Sequence, residues 1–316
     1  MPRKDLRLNG QLGMFSPGHV SGETVPKRRR LQRSLHTADS EKLWIQKLAE
    51  TGRYRILRKL APRPLIARAA SPLPQVGVVV DVETTGLDFR KDEVIELGMV
   101  AFTFDERGRI GDVVGIFSAL QQPNSPLPPQ ITKLTGITDA MVAGKTIPID
   151  EVERFIEPAD RVIAHNARFD RPFCERLAPG FMPKAWACSV SEVAWSERGF
   201  EGTKLGYLIG QCGYFHKSHR AVDDCHALLE VLDTPFPDAS GTAFADLLQN
   251  AKKARIRIWA EHSPYDMKDQ LKARGYRWAD GSDGKHGGPT LRKKNAMTNC
   301  IFYAPTSIVG GTRSRR

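Results

Sequence analysis

Residues 78–88 read VVVDVETTGLD, and this stretch decides the fold. Its valines predict a buried strand, and two acids one residue apart follow them directly. Side chains at positions i and i+2 of a strand share a face, so Asp81 and Glu83 project together while Val82 faces the other way. The pair is therefore expected at the C-terminal edge of a sheet, a usual place for sites in α/β proteins. Taken alone, the same pattern also fits two solvated acids entering a loop.

The chain around this strand predicts an α/β domain. We expect strands at 77–83, 94–104, 113–120 and 161–164, and helices near 128–135, 150–156, 166–177, 203–212 and 220–232. Short polar turns such as DERGR join the first three strands, which favours an antiparallel meander. Strands then alternate with helices, so the expected fold class is α/β, with a mixed β-sheet flanked by helices.

A second acid motif, AHNARFD at 164–170, follows a short apolar strand and opens a helix. We expect Asn166 to cap that helix and Asp170 to lie near its start, on the same face as Asn166, with Phe169 buried beside them. The ordinary interpretation of Asp170 is a first-turn acid that the helix dipole favours.

A third motif, HRAVDD at 219–224, places His219 before or at the start of a later helix. Asp224 lies inside that helix, and the neighbouring Asp223 would point about 100° away around its axis. A single histidine at such a position is more often structural or surface-exposed than catalytic.

The order of the three motifs resembles the DEDDh 3′–5′ exonucleases, the family of the proofreading epsilon subunit of bacterial DNA polymerase III. The resemblance covers about residues 77–232 and includes LPPQITKLTGIT at 127–138, which is similar to the helix and turn before the family's second acid motif. It implies a ribonuclease-H-like fold. The residues that carry it are Asp81, Glu83, Asp170, His219 and Asp224.

Elementary electrostatics explains why such a site needs metal ions. Each pair of carboxylates about 4 Å apart costs about 4 kcal/mol at an effective dielectric near 20. Hard divalent cations with oxygen ligands, Mg²⁺ or Mn²⁺, remove that cost. Two ions roughly 4 Å apart can clamp a scissile phosphate, one activating water and the other stabilising the leaving 3′ oxygen. A histidine side chain, which ordinarily titrates near neutral pH, can act as general base.

The resemblance also implies roles for individual residues. Asp81 would be the shared metal ligand, Glu83 would also hold the terminal 3′-hydroxyl, and His219 would act on the attacking water. Phe169 either stacks on the substrate or packs inside the domain, and we favour packing. Asp170 and Asp224 complete the metal shell, and the residues implied for substrate contact are Thr84, Thr85, Gly86, Asn166 and Phe169.

The expected function is a metal-dependent 3′–5′ exonuclease with two Mg²⁺ or Mn²⁺ ions, acting on single-stranded 3′ ends of DNA in replication proofreading or repair. One alternative is a 3′–5′ exoribonuclease of the same superfamily, because discrimination of the 2′-hydroxyl lies in contacts that the sequence does not place. Another is a non-catalytic polymerase-associated subunit, against which the intact set of four acids and one histidine argues.

Composition fits a nucleic-acid partner. The chain has 47 Lys and Arg against 36 Asp and Glu, a net charge of +11, which suits a polyanion, although a solvated basic tail gives the same number. The longest apolar runs are too short to cross a bilayer, and the N-terminus has no signal pattern. Five cysteines without a C-x-x-C pair fit reduced thiols. We therefore expect a cytoplasmic protein.

The rest of the chain predicts accessory segments. Residues 1–75 form a basic, partly disordered arm with one helix from Ser40 and a Pro-rich linker, 76–233 the nuclease domain and 234–250 a connector. Residues 251–285 form a small βαβ module with solvated or DNA-binding basic and aromatic side chains. Residues 286–316 read as an atypical tail without helix or strand pattern. A shifted reading frame can encode a Trp pair and an amphipathic helix there, so we hypothesise a single-base deletion near Lys285.

Two shorter patterns remain. QLGMF at 11–15 resembles the peptide by which replication and repair proteins bind the bacterial sliding clamp, with chance occurrence as the alternative. Its candidate contacts are Gln11, Leu12, Met14 and Phe15. A group of cysteines and histidines could also suggest a zinc site, but their spacings fit no standard structural set, so we do not favour it. That group is Cys212, His216, His219, Cys225 and His226.

Overall fold

The computed structural model describes residues 40–253, 258–260, 264–274, 276–279 and 290–293. The chain divides into two compact units, residues 1–58 and 59–316. In the first unit, residues 40–50 are helical, which confirms the helix predicted from Ser40. The helix ends before Gly52, whose φ of 65° breaks the helical conformation.

A five-stranded mixed sheet forms the centre of the second unit. Three strands form the predicted antiparallel meander, and two further strands add to it in parallel. Their spatial order is β3-β2-β1-β4-β5, with β1 at Gln75–Thr84, β2 at Val94–Phe104, β3 at Ile110–Leu120, β4 at Arg161–Ala164 and β5 at Trp186–Cys188. Sequence analysis missed β5, because three residues are too few to show a strand period.

The five predicted helices of this unit are present, and a further short helix lies in the predicted connector. Two four-residue helices, Asp139–Val142 and Ser189–Glu192, were not predicted, because a single turn shows no helical period. The bounds are α1 Pro129–Thr135, α2 Asp139–Val142, α3 Ile149–Ile156, α4 Ala167–Leu177, α5 Ser189–Glu192, α6 Leu205–Gln211, α7 Ala221–Asp233 and α8 Ala243–Ala251. Two-residue strands lie at Arg58–Lys59 and Tyr214–Phe215, and 3₁₀ turns at Arg68–Ala70 and Pro179–Phe181.

Strand β1 separates two hydrophobic clusters. Val78, Val80 and Val82 belong to the cluster that also contains residues of α3 and α4. Val79 belongs to the other cluster, which contains residues of α7 and α8. The alternation confirms that Val82 and the acid pair face opposite sides of the sheet, because Asp81 and Glu83 continue the register of Val79.

The segment 59–75, which contains the predicted Pro-rich linker, packs against other parts of the second unit. It lies in the second unit and makes backbone and side-chain bonds to strands and to α7, because prolines that exclude a helix still allow an extended chain to pack along a surface. The contacts are Leu60 with Phe215, Arg63 with Glu230 and Asp233, and Ser71 with Thr103. The domain bounds themselves stay predictions.

The strand, helix and strand predicted for the C-terminal module are present, and a third strand from beyond residue 285 joins them in a second sheet. Its strands are β6 Ile258–Ala260, β7 Tyr276–Ala279 and β8 Thr290–Lys293, and helix α9 is Lys268–Ala273. The order is β6-β8-β7, with both pairings antiparallel. The central strand therefore comes from the stretch expected to have no strand pattern, because four residues beside Gly and Pro show no period.

The clamp-binding pattern at residues 11–15 lies outside the described residues, as do 294–316 of the tail. Within the described part of the chain, every helix is too short or too polar to span a bilayer.

Candidate active site

The residues predicted for catalysis, metal binding and substrate contact line a single cleft of about 550 Å³. It opens at the C-terminal ends of β1 and β4 and is bordered by residues from α1 and α7. Its lining includes Asp81, Glu83, Thr84, Thr85, Gly86, Asn166, Phe169, Asp170, His219 and Asp224. Hydrophobic and polar residues of the lining that sequence analysis did not single out are Leu87, Gln130, Ile131, Leu134, Thr135, His165 and Leu205.

Three of the acids converge closely. Carboxylate oxygens of Asp81, Glu83 and Asp224 lie within 4.8 Å of one another, although β1 and α7 are more than 130 residues apart in the chain. Oxygen donors at this spacing suit a hard divalent cation such as Mg²⁺ or Mn²⁺. Asp170 lines the same cleft but is not a member of that close group.

The acidic residues of the cleft lie in surroundings that disfavour their charged form, which either protonation or a bound cation would counteract. Burial, and then the charges of its acidic neighbours, raise the pKa of Asp81 well above the ordinary aspartate value. Burial and the charges of Asp224 and Glu96 raise the pKa of Glu83 to about 8. Burial likewise raises the pKa of Asp170 to about 7, against the opposing effect of its backbone hydrogen bonds. A bound cation would offset both the cost of burying charged carboxylates and the repulsion between them. The donor set therefore fits a metal site.

The turn between β4 and α4 positions Asp170. Its carboxylate is almost fully buried and accepts a hydrogen bond from the Val82 backbone N–H at 3.3 Å. Asn166 precedes the helix with φ 76° and makes no side-chain cap, so the predicted capping bond is wrong. Asn166 instead supplies a left-handed backbone conformation, which asparagine tolerates better than most residues. Phe169 packs on Phe173, with ring centroids 5.1 Å apart, and also lines the cleft.

The loop after β1 is braced by its own threonines. The Thr84 hydroxyl donates to the Gly86 carbonyl at 2.6 Å, and the Thr85 hydroxyl accepts from the Glu93 backbone N–H at 2.9 Å. The loop backbone is therefore fixed beside the acids. Leu87, at the end of this loop, is 85% exposed and borders the cleft.

His219 lies immediately before α7, as predicted, and its side chain is exposed. Its φ of 63° is left-handed, which costs an L-residue roughly 1–2 kcal/mol. Surrounding contacts must therefore hold this backbone in place. The next residue provides one of them, since the Arg220 guanidinium donates to the Glu96 carboxylate at 2.8 Å.

Glu96 is a site-building residue that sequence analysis missed. It is fully buried on β2, opposite Glu83 in the strand ladder. Besides the Arg220 guanidinium, it accepts the Ala221 backbone N–H at 3.1 Å, so one carboxylate anchors the start of α7. An acid inside the apolar run VIELGMV was the available signal, because a buried charge requires a partner.

Gly98 was missed as well. It lies opposite Asp81 in the ladder, and a Cβ there would come within 2.4 Å of the Ala221 carbonyl carbon. The Cys225 thiol donates to the Gly98 carbonyl at 3.3 Å. The absence of a side chain at Gly98 thus lets α7 lie directly on β2, which brings Asp224 beside the acids of β1.

The cysteines and histidines considered as zinc ligands contact different partners instead of one another. The His216 Nε2 lies 2.7 Å from Asp224 Oδ1, whereas Cys225 contacts the β2 backbone. Within the described residues, the close group of potential metal ligands is the acidic one and contains neither cysteine nor histidine. The zinc interpretation is therefore not supported.

Residues 78–232 match a family model described as Exonuclease. The chain is similar to the DNA polymerase III subunit epsilon of Treponema pallidum (strain Nichols), with 32% identity over 164 residues, covering 49% of this chain and 73% of that protein. It is also similar to the PolC-type DNA polymerase III of Clostridium perfringens (strain 13 / Type A), with 34% identity over 167 residues.

That second match covers 50% of this chain but only 11% of the PolC-type protein's length. Among solved structures, Exonuclease X in complex with 5′ overhanging duplex DNA shares 26% sequence identity. The similarity covers 55% of this chain and 99% of that one, with a TM-score of 0.41.

Proposed function

Because the chain belongs to the exonuclease family, we propose that it is a divalent-metal-dependent 3′–5′ exonuclease that hydrolyses DNA. The observation that carries the proposal is the convergence of Asp81, Glu83 and Asp224, with Asp170 and His219 in the same cleft. The name of the Treponema relative, a DNA polymerase III subunit epsilon, supports DNA as the substrate and proofreading or repair as the role.

The metal ligands would be Asp81, Glu83, Asp170 and Asp224, holding two Mg²⁺ or Mn²⁺ ions. When bound, these ions supply positive charge to the scissile phosphate and make water more acidic. The raised pKa of Glu83, about 8, supports this assignment, because a bound cation would offset the burial and the repulsion that disfavour its charged form.

The remaining chemistry belongs to the side chains and the loop. A ring nitrogen of His219 accepts a proton from the attacking water. The water oxygen bonds to phosphorus as the bond to the preceding nucleotide's 3′ oxygen breaks, which releases a nucleoside monophosphate. The braced loop of Thr84, Thr85 and Gly86 contacts the terminal nucleotide, and Glu83 receives its 3′-hydroxyl.

The decisive experiment is hydrolysis of labelled DNA and RNA single strands with a free 3′ end, in Mg²⁺ and in EDTA. Activity should require the metal and should vanish in Asp81→Ala. His219→Ala should lose about 10²- to 10⁴-fold, the usual contribution of a general base. Asp223→Ala is the matched control, because this acid neighbours Asp224 on α7 but does not line the cleft, and it should retain activity.

Other results would change the proposal in defined ways. Activity that survives EDTA or Asp81→Ala would refute the metal mechanism. Preference for RNA would favour the exoribonuclease alternative. A folded wild-type protein without hydrolysis of either polymer would favour a non-catalytic subunit.

A sliding clamp or a replicative polymerase is the proposed protein partner. Clamp binding rests on Gln11, Leu12, Met14 and Phe15, and polymerase association on the name of the epsilon relative. A pull-down with purified clamp tests the first. Failure of the unaltered chain to bind would end that part of the proposal.

A further inference from the structure

His216 is a partly buried histidine that the catalytic scheme does not use. It follows the short strand Tyr214–Phe215 and lies three residues before His219. Its Nε2 is 2.7 Å from Asp224 Oδ1, and the two side chains are only 5% and 12% exposed. The pair is therefore shielded from the solvent that weakens surface contacts.

Both oxygens of Asp224 are held. Oδ1 contacts His216, and Oδ2 accepts the Arg220 backbone N–H at 3.1 Å. An ionised carboxylate, as a metal ligand must be, has only acceptors, so in that state Nε2 of His216 would carry the hydrogen and donate it. The terminal torsion of aspartate has a broad, shallow preference of its own. Two donors on different sides fix the plane of the carboxylate more strongly than one.

That orientation matters because Asp224 reaches the acid group from α7, whereas Asp81 and Glu83 reach it from β1. Its carboxylate meets those of Asp81 and Glu83 within 4.8 Å. Hydrogen-bonding partners of metal ligands typically change metal affinity by about 10- to 100-fold. We propose that His216 is a positioning residue that orients Asp224 for the divalent cation, an inference that rests on the proposed function.

The backbone around His216 is itself supported from outside the nuclease motifs. The Phe215 carbonyl accepts the Leu60 backbone N–H at 2.8 Å, and the side chains of Leu60 and Tyr214 both pack against the cluster that contains residues of α7. Leu60 lies outside the residues that match the exonuclease family model. The chain preceding the nuclease motifs thus helps to place the donor of Asp224.

Calorimetric titration of the metal-free full-length chain with Mn²⁺ tests the proposal without relying on hydrolysis. We compare wild type with His216→Leu, which has no donor, and His216→Gln, whose amide nitrogen can reach the same position. The leucine variant should bind Mn²⁺ about 10- to 100-fold more weakly. The glutamine variant should recover most of the affinity. His226→Leu is the matched control, since His226 is a buried residue of α7 outside the cleft.

Thermal unfolding of each metal-free variant separates folding from positioning. The proposal is upheld if His216→Leu loses Mn²⁺ affinity while His226→Leu, at comparable or lower stability, keeps it. Wild-type affinity in His216→Leu overturns it, and so does a glutamine variant as weak as leucine. No Mn²⁺ binding by wild type would instead refute the proposed function together with this inference.

Discussion

Asp81, Glu83 and Asp170 are carboxyl groups that folding moves into surroundings favouring their protonated form. Burial is the largest cause for each. A group with a raised folded-state pKa binds more protons in the native than in the unfolded chain. Its stabilising contribution is therefore complete below the unfolded pKa and is lost as pH rises through the folded one.

For Glu83 that window runs from 4.5 to about 8, so we predict that the metal-free protein becomes less stable as pH rises through it. The free energy of unfolding in urea and EDTA should be lower at pH 8 than at pH 5.5. Glu83→Gln should flatten the slope, because the glutamine does not titrate. Mn²⁺ added in excess over the EDTA should restore stability at pH 8, since the cation replaces the protons.

Comparison of wild type with Glu83→Gln isolates this carboxyl group from all others that titrate in the same range. An equal pH slope in the two proteins would contradict the prediction.

For individual residues, the sequence predicted the direction of a side chain well where the period of a single strand or helix determines that direction. The common face of Asp81 and Glu83 follows from strand period alone. The hydrogen bond of His216 to Asp224 depends on how the loop before α7 lies against that helix, and the bond of Arg220 to Glu96 depends on how α7 lies against β2. Neither local period nor motif spacing contains that packing, so His216 was considered only as a zinc ligand.

At the scale of elements, the seating of α7 on β2 brings the two halves of the acid group together. Gly98 allows the close approach, and Glu96 holds the helix start by side-chain and backbone bonds. Strand β2 thus contributes no catalytic side chain to the cleft lining, yet it sets the distance between the acids of β1 and Asp224.

We predict that Gly98→Ala destabilises the protein by about 3 kcal/mol, a typical cost of overpacking a core. The added Cβ would meet the backbone of Ala221 and Val222 at 2.4 Å, and neither atom belongs to a flexible side chain. Mn²⁺ affinity should fall as well, because α7 carries Asp224. Urea unfolding and calorimetric titration measure the two effects.

Gly206→Ala provides the matched control for that substitution. Gly206 lies in α6, and its added Cβ would meet no atom within 4 Å. Alanine should stabilise the helix by about 0.5 kcal/mol. Equal effects of the two substitutions would show that α7 does not depend on the bare backbone at Gly98.

Arg63 ties the segment before the nuclease motifs to the C-terminal end of α7. It contacts Glu230 at 2.9 Å and Asp233 at 2.6 Å, and the three side chains are 23–31% exposed. Arg63→Met keeps the aliphatic stem but removes the donors from both half-buried carboxylates. We predict a loss of about 2 kcal/mol in unfolding free energy, typical of hydrogen bonds to charged groups.

The control for Arg63 is Arg109→Met. Arg109 pairs with Asp105 but is 70% exposed, so its substitution should cost at most about 0.5 kcal/mol. Urea denaturation of both variants in the same buffer gives the comparison. If Arg63→Met cost no more than Arg109→Met, the segment would not support α7 through this residue.

Most elements with a clear period were predictable. The meander, β4 and the helices α1, α3, α4, α6 and α7 follow from alternation and helical spacing. The three-residue β5, the four-residue helices and the packed segment 59–75 were not, because tertiary contacts rather than local patterns determine them.

At the scale of the whole molecule, the exonuclease match accounts for residues 78–232 only. The second unit extends on both sides of it, and its C-terminal part contains a separate three-stranded sheet. In that sheet Thr290–Lys293 pairs with both Ile258–Ala260 and Tyr276–Ala279. The outer strands do not pair with each other, so the sheet depends on a strand from the stretch in which we hypothesised a changed reading frame.

We therefore predict that ending the chain after Lys285 disrupts this sheet and leaves the nuclease sheet intact. Hydrogen exchange of the full and shortened chains measures the outcome, since backbone amides without a strand partner exchange with solvent. Amides of Tyr276–Ala279 that donate to the central strand should lose protection, while those of Val94–Phe104 should keep it. Unchanged protection of Tyr276–Ala279 would contradict the pairing. Resequencing of the locus tests the reading frame separately: an intact frame refutes the deletion, whereas a shifted one means that the residues after Lys285, including the central strand, have a different sequence.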